Sequence, residues 1–202
     1  MPSKRTDQFT ESVIRGMTRE CAHYGGVNLA QGFPDFDGPE EIKEAAQRAI
    51  AEGWNQYAIT WGSHSIREAI ARKTAQFNGF NVCPEEEITV VCGATEGMIA
   101  TLMALLNPGD EVVIFEPFYE NYGPDTILSE SVPRFVSLRA PEFTFDPGEL
   151  KAAIGPSTRA IIVNTPHNPT GHVFTFEELE HIRDLCVEFN LVAVTDEVYE
   201  HI

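Results

Sequence analysis

Strand-like and helix-like segments alternate from residue 87 to residue 202, and this alternation limits the fold more than any other feature of the sequence. The strand-like segments are short and rich in β-branched residues, and they are 87–92, 109–116, 134–138, 159–164 and 191–197. Between them lie segments with helical patterns, at 95–107, 119–130, 146–155 and 175–190. Such alternation predicts a largely parallel sheet covered by helices on both faces. Ligands bind these sheets beyond the carboxyl ends of the strands, so the residues that follow each strand are the candidates for function.

The residues before this region predict a loop and two more helices. Segment 28–41 is interrupted by glycines and prolines and indicates a loop. A helix is predicted at 39–53, with Pro39 near its start and a glycine after its end. A second helix is predicted at 63–79, between a serine and a closing glycine. Further along, Thr175 and Glu178 have the spacing of a capping box.

The acidic composition argues against two classes of partner. The 202 residues include 14 lysines and arginines against 31 aspartates and glutamates, a formal net charge of −17. Because the basic residues form no cluster beyond residues 3–5, we expect neither a nucleic acid nor an anionic membrane surface as a partner. The first residues lack the apolar core of a signal peptide, and no apolar run reaches the ~18 residues of a membrane span. We therefore predict a cytoplasmic protein.

Neither the cysteines nor the most conspicuous histidine predicts a metal or catalytic centre. Cys21, Cys83, Cys92 and Cys186 lie far apart and form no C-x-x-C pair. His167 has asparagine and proline neighbours, with no carboxylate or cysteine at the spacing of a dyad. We expect no metal, and we interpret His167 as structural.

Two of the strand ends offer an anion site and an aromatic surface. Gly93, Ala94 and Thr95 come between a predicted strand and a predicted helix, where free backbone N–H groups and the helix dipole attract an anion. The alternative is a plain helix cap. Tyr119 and Tyr122 follow the next strand. They either pack in the core or present a ring to a flat ligand.

The other two strand ends carry fixed polar groups. Asn164 and Asn168 lie in the stretch NTPHNPTG, where prolines limit the freedom of the backbone. Asp196 ends an apolar strand, and Tyr199 follows three residues later. The alternative for Asp196 is a helix cap or a paired core acid. A flat phosphorylated pyridine with a phenolic oxygen would use all four strand ends, and pyridoxal 5'-phosphate is such a ligand.

Four segments, NLAQGFPDF, GATEG, NTPHNPTG and TDEVYEH, together resemble the class I/II aminotransferases of fold type I, most closely the kynurenine, glutamine and methionine branch. The resemblance implies an α/β fold with three α/β/α layers and a mainly parallel mixed sheet. It implies that 1–45 belong to the small domain and substrate entrance, and that 46–202 belong to the large cofactor-binding domain. It also implies an aminotransferase acting on a large aromatic or sulfur-containing amino acid and a 2-oxo acid.

The resemblance also assigns roles to individual residues. The residues that match cofactor contacts are Tyr57, Gly93, Ala94, Thr95, Tyr119, Asn164, Asn168, Asp196 and Tyr199. Gly32 and Asn168 match contacts to substrate. Tyr57 matches a tyrosine that reaches the phosphate of a neighbouring subunit, which implies a homodimer. Asp196 matches the acid that pairs with the pyridine nitrogen.

One expected residue is missing from the chain. The four lysines are Lys4, Lys43, Lys73 and Lys151, and none lies in a segment matching the family's Schiff-base lysine. We therefore expect that lysine, most of the small domain and the last strands of the sheet to lie beyond Ile202. The chain is then an inactive fragment of a longer enzyme. Two alternatives remain open, a pyridoxal-phosphate-dependent carbon–sulfur β-lyase on the same fold and a non-catalytic half-domain.

Overall fold

Four parallel strands and the helices between them organise most of the chain. The computed structural model describes residues 3–32 and 34–202. The helices are α1 Val13–His23, α2 Glu40–Ala51, α3 His64–Lys73, α4 Gly93–Leu105, α5 Tyr122–Leu128, α6 Pro147–Ala152 and α7 Phe176–Phe189. A 3₁₀ turn covers Lys4–Asp7, and a π-helical turn over Thr74–Asn78 extends α3. The strands are β1 Glu111–Glu116, β2 Val132–Ser137, β3 Thr158–Asn164 and β4 Val192–Asp196.

The two central strands, β1 and β3, are buried between helices that pack on both faces of the sheet. The side chains of a strand alternate between its two faces. Val113 and Ile161 point to one face, where they join α6 and α7 in a buried cluster. Val112 and Ile162 point to the other face and join α4 and α5. These four side chains are at most 2% exposed, and full burial of such a side chain contributes about 1.5–3 kcal/mol. The predicted three-layer α/β/α arrangement is confirmed.

The order of the strands places a crevice at the centre of the sheet. The order is β2-β1-β3-β4, and all three pairings are parallel. From β1 the chain first moves outward to β2, and then crosses back to β3 on the other side. The order therefore reverses between β1 and β3. In open α/β sheets this switch point, at the carboxyl ends of the strands, is where ligands bind.

The longest helix begins and ends as its sequence predicts. The Thr175 side chain accepts the N–H of Glu178 at 3.2 Å, and Glu178 Oε2 accepts the N–H of Thr175 at 2.8 Å. The capping box is thus confirmed. At the other end of α7, Asn190 adopts a left-handed conformation with φ 55°, which asparagine tolerates better than most residues.

One prediction about local structure is wrong, and one helix was not predicted. The segment 87–92 forms no strand among the described residues. An apolar run becomes a strand only when a second strand bonds it, and here the Val90 N–H donates to Trp61 O at 3.1 Å, outside any sheet. The helix α1 was not predicted, although Ser12 caps it through a side-chain bond to the Arg15 N–H at 3.1 Å.

The chain divides into two compact units. One comprises Cys92–Ile202 with the described residues up to Thr10, and it contains the whole sheet. The other is Glu11–Val91 and contains α1, α2 and α3. The predicted domain boundary at 45/46 falls inside this second unit. It concerns the domains of a longer protein, and it stays a prediction.

Within the Glu11–Val91 unit, one buried arginine holds two loops. Arg67 is 1% exposed, and its Nε donates to Gly62 O at 3.0 Å. Its Nη1 donates to Pro84 O and to Glu85 Oε2, the latter at 3.0 Å. The guanidinium therefore supplies donors to carbonyl groups that the loops leave unpaired.

Across residues 3–32 and 34–202, no helix has the length and apolarity needed to cross a membrane.

Candidate active site

A cavity of about 150 Å³ opens at the carboxyl end of the sheet, where the strand order predicts a ligand site. Its walls come from the start of α4, the segment after β1, and the ends of β3 and β4. The residues that line it are Ala94, Thr95, Tyr119, Tyr122, Asn164, Asn168, Asp196, Val198 and Tyr199. Seven of the nine residues predicted to bind a cofactor are among them. The sheet brings these residues together from positions up to 105 apart in the sequence, from Ala94 to Tyr199.

The start of α4 forms one wall of the cavity and has the character of an anion site. Gly93 has φ +86°, a left-handed conformation that strains other residues. The residue before it, Cys92, makes no side-chain capping bond. The Thr95 hydroxyl accepts a hydrogen bond from Asn121 Nδ2 at 2.8 Å, which fixes its position. The Glu96 carboxylate accepts the N–H of Cys92 itself. The N–H groups that follow it in the first turn, together with the helix dipole, favour an anionic ligand such as a phosphate.

The two asparagines of the NTPHNPTG loop have different environments. Asn164 is 3% exposed, and both ends of its amide bond to the protein. Its Nδ2 donates to Asp196 O at 3.0 Å, and its Oδ1 accepts the N–H of Asn168 at 2.7 Å. Asn168 is half-buried, and its Nδ2 donates to the Tyr199 hydroxyl at 3.2 Å. Asn164 therefore braces the loop, and Asn168 and Tyr199 place a paired amide and phenol at the cavity.

The carboxylate of Asp196 is held from two directions. Its Oδ2 accepts a hydrogen bond from the Tyr122 hydroxyl at 2.6 Å, and its Oδ1 accepts the N–H of Val198 at 3.2 Å. Burial, and then the hydrogen bond to this carboxylate, raise the pKa of Tyr122. Tyr122 therefore stays a protonated donor. Asp196 is half-buried and lines the cavity, so an anionic group held in a fixed orientation faces the ligand position.

His167 lies outside the group of residues that line this cavity. It is 4% exposed, and its Nδ1 bonds the Thr170 hydroxyl at 2.8 Å. Burial, and then the neighbouring His172, lower its pKa, so the ring stays neutral near pH 7. Its backbone N–H donates to His172 O at 2.8 Å and closes the loop. These contacts support the structural interpretation of His167.

Three predicted site residues are not among those that line the cavity. Gly93 is the first residue of α4 and directly precedes Ala94, which does line the cavity. Gly32 and Tyr57 belong to the Glu11–Val91 unit, where both are exposed. Their predicted contacts, with substrate and with the phosphate in a neighbouring subunit, stay predictions. Within the described chain, none of the four lysines lines the cavity either.

The donor set of this cavity fits pyridoxal phosphate. Thr95 and the first N–H groups of α4 suit the phosphate, and the Tyr119 ring offers a surface for stacking on the pyridine. The carboxylate of Asp196 suits a protonated ring nitrogen. Asn168 and Tyr199 offer hydrogen-bond donors for a phenolic oxygen. A single cavity thus presents partners for each part of the cofactor. Tyr122 is a further polar residue of the site, whereas the sequence predicted for it either core packing or a ring that stacks on a ligand.

Comparisons with known proteins agree with this geometry. The family description "Aminotransferase class I and II" matches residues 24–202. The chain is 42% identical to a probable N-succinyldiaminopimelate aminotransferase of Mycobacterium tuberculosis, covering 100% of this chain and 51% of the relative. It is 37% identical to a methionine aminotransferase of Escherichia coli, covering 100% of this chain and 52% of that protein. A mouse kynurenine–oxoglutarate transaminase 3 is also 37% identical, and the match covers 98% of this chain and 46% of the mouse protein.

The backbone of the M. tuberculosis N-succinyldiaminopimelate aminotransferase superimposes on this fold. The TM-score is 0.95 at 42% identity, and the match covers 100% of this chain and 53% of the solved one. The chain spans about half the length of the curated relatives it matches.

Proposed function

This chain belongs to the class I and II aminotransferases, and we propose that the whole protein transfers an amino group from an amino acid to a 2-oxo acid with pyridoxal phosphate as cofactor. The family predicted from the four sequence motifs is confirmed, as is the fold-type-I architecture. The observation that carries the proposal is the cavity at the switch point of the sheet. It gathers an anion site, an aromatic ring, a fixed amide–phenol pair and a fixed carboxylate.

Different residues of this cavity are suited to different parts of the cofactor. Thr95 and the N–H groups at the start of α4 would bind its phosphate, and the Tyr119 ring would stack on the pyridine. Asn168 and Tyr199 would donate to its phenolic oxygen. When bound, pyridoxal phosphate supplies an aldehyde that takes up the amino group and a ring that withdraws electrons as the Cα proton leaves.

Asp196 is the one carboxylate among the described residues that line this cavity. A carboxylate close to the ring nitrogen favours its protonated form, and protonation strengthens electron withdrawal by the ring. Because Tyr122 and Val198 already fix the carboxylate, little reorganisation is needed when the substrate reacts, and preorganised charge is where enzymes gain most.

The proposed amino donor is a large aromatic or sulfur-containing amino acid. The similarity to the E. coli methionine aminotransferase and the mouse kynurenine–oxoglutarate transaminase 3 supports this choice. A second candidate is a succinylated diamino acid, because the M. tuberculosis relative named for that substrate is 42% identical over the whole chain. We also propose that the whole protein is a homodimer, to which Tyr57 of each chain contributes. The predicted cytoplasmic location stays a prediction.

The test measures amino transfer by the whole protein. With 2-oxoglutarate as acceptor, methionine, phenylalanine, kynurenine and N-succinyldiaminopimelate are offered as donors, and glutamate is quantified. We expect the first three to be the better donors. Absence of glutamate with every donor contradicts the proposal, and preference for the succinylated donor selects the second candidate. Release of pyruvate and ammonia from a cysteine conjugate would favour the carbon–sulfur β-lyase instead.

A matched pair of variants tests whether Asp196 carries this function. Asp196→Ala should lower the rate by on the order of 100-fold or more, equivalent to about 2.7 kcal/mol of transition-state stabilisation. Asp184→Ala removes an exposed carboxylate of α7, 66% exposed, and should leave the rate unchanged. Equal rates in the two variants would remove Asp196 from the site.

A further inference from the structure

Tyr122 connects two parts of the candidate site that sequence alone keeps apart. It is the first residue of α5 and is 3% exposed. Its hydroxyl donates to Asp196 Oδ2 at 2.6 Å, across 74 positions of sequence. Its ring meets the ring of Tyr119 edge to face, with centroids 5.9 Å apart. One buried side chain therefore contacts both the proposed stacking ring and the proposed partner of the ring nitrogen.

The backbone around Tyr122 is itself fixed, so that the hydroxyl has one position. The Tyr122 N–H donates to Tyr119 O at 3.1 Å. The Thr126 hydroxyl donates to Tyr122 O at 2.8 Å, and Thr126 is fully buried. The turn that precedes α5 thus holds Tyr119 and Tyr122, three residues apart, in a fixed relation to each other. A phenol has a single rotatable donor, and here that donor is committed to Asp196.

The carboxylate of Asp196 depends on this donor for its orientation. Each carboxylate oxygen has two lone pairs. One on Oδ2 is taken by Tyr122, and one on Oδ1 by the Val198 N–H at 3.2 Å. Val198 is exposed and follows the last residue of β4 by only two positions. The shorter bond, made to a buried side chain from a different element, is the stronger constraint.

Building on the proposed function, we propose that Tyr122 is a positioning residue. It fixes the Asp196 carboxylate against the ring nitrogen of pyridoxal phosphate and keeps that carboxylate in register with the Tyr119 ring. Tyr122 itself need not touch the reacting atoms. A tyrosine with a purely structural role would be equally buried. Removing its hydroxyl would then change cofactor binding by the same factor whether or not Asp196 is present.

A double-mutant cycle on the whole protein separates these two roles. The readout is the dissociation constant of pyridoxal phosphate, measured by equilibrium dialysis, in Tyr122→Phe, Asp196→Ala and the combined variant. Phenylalanine keeps the ring and removes only the hydroxyl. Loss of a hydrogen bond to a charged group should weaken binding about 10-fold to 100-fold in the native background. In the Asp196→Ala background the same substitution should change binding less than about 2-fold.

Two controls keep the result interpretable. Tyr24→Phe removes the hydroxyl of a tyrosine that is 79% exposed, and it should leave the dissociation constant unchanged. Melting temperatures of all variants report folding, and Tyr122→Met replaces the phenylalanine variant if that one does not fold.

Each outcome of the cycle decides between the roles. A large effect of Tyr122→Phe that disappears without Asp196 supports the positioning role. An equal effect in both backgrounds, or no effect in either, overturns it and leaves the proposed function standing. If the unsubstituted protein does not bind pyridoxal phosphate, the proposed function fails and the inference fails with it. If the protein binds the cofactor but Asp196→Ala does not weaken binding, the inference is overturned, and the proposed function is judged by the glutamate assay alone.

Discussion

Replacing Asp125 with asparagine should stabilise the protein, and more so as the pH rises. Asp125 lies in α5 and is 6% exposed. None of the residues in the described chain donates a hydrogen bond to its buried Oδ2. Burial without a partner disfavours the charged carboxylate, and it raises the pKa of Asp125 from 3.8 to about 6. At pH 8 the folded protein therefore holds an ionised group where a neutral one would be better accommodated.

The size of the effect follows from the two pKa values. A rise from 3.8 to about 6, at about 1.4 kcal/mol per pH unit, gives up to about 3 kcal/mol at pH 8. The folded protein binds the Asp125 proton more tightly than the unfolded chain does, so protonation of Asp125 stabilises the folded state. This contribution to the free energy of unfolding is fully present below about pH 4 and is lost as the pH rises through about 6. At pH 5 only about half of the difference between wild type and Asp125→Asn should remain.

The assay compares melting temperatures of the wild type and Asp125→Asn from pH 5 to pH 8. A gain of about 3 kcal/mol raises the melting temperature of a unit this size by roughly 6–12 °C. The exposed Asp184→Asn serves as control, because an exposed ion pair of the kind Asp184 makes with Arg183 contributes about 0–1 kcal/mol. A difference between Asp125→Asn and wild type that is constant with pH, or largest at pH 5, would refute the assignment of a proton to Asp125.

Three other predictions concern stability and assembly. Arg67→Met should cost about 2–5 kcal/mol, because two loop carbonyls each lose a buried donor at about 1–3 kcal/mol apiece; denaturant unfolding checks this, with the exposed Arg72→Met as control. Thr175→Ala should cost about 1 kcal/mol by breaking the capping box of α7, and faster amide exchange in its first turn would report it. Mixing Tyr57→Phe subunits with Asp196→Ala subunits should restore part of the activity lost in each, and heterodimers without recovery would contradict a shared site.

The strands and helices around the sheet were predictable because their signals are local. Runs such as 159–164 combine β-branched residues with flanking turn residues, and α7 begins at a capping box of two residues. The segment 87–92 carries a strand signal of the same quality, and yet it is not a strand among the described residues. Whether an extended run pairs depends on a second segment elsewhere in the chain, and a local pattern holds no information about that segment.

The sequence predicted most of the residues that line the candidate site, but it did not predict the hydrogen bonds between them. Polar residues at the ends of apolar strands stand out in the sequence, and Asn164, Asn168 and Asp196 can be identified from that pattern alone. The bond from Tyr122 to Asp196 joins α5 to the end of β4. It exists only because the strand order is β2-β1-β3-β4, and that order is set by how the helices pack on the sheet. In the sequence, Tyr122 was predicted only as an aromatic residue beside Tyr119 after β1.

The rigidity of the NTPHNPTG stretch has an explanation that the prolines alone do not give. Prolines restrict each backbone angle but do not tie the loop to the sheet. Asn164 does so, because it is the last residue of β3 and its side chain bonds both Asp196 O and the Asn168 N–H. Asn164 and Asn168 are four positions apart, so the Asn164 side chain can accept the backbone N–H of Asn168 and close the turn between them. Asn168 then directs its amide at Tyr199, and the same loop is tied to the end of β4 through the backbone carbonyl of Asp196.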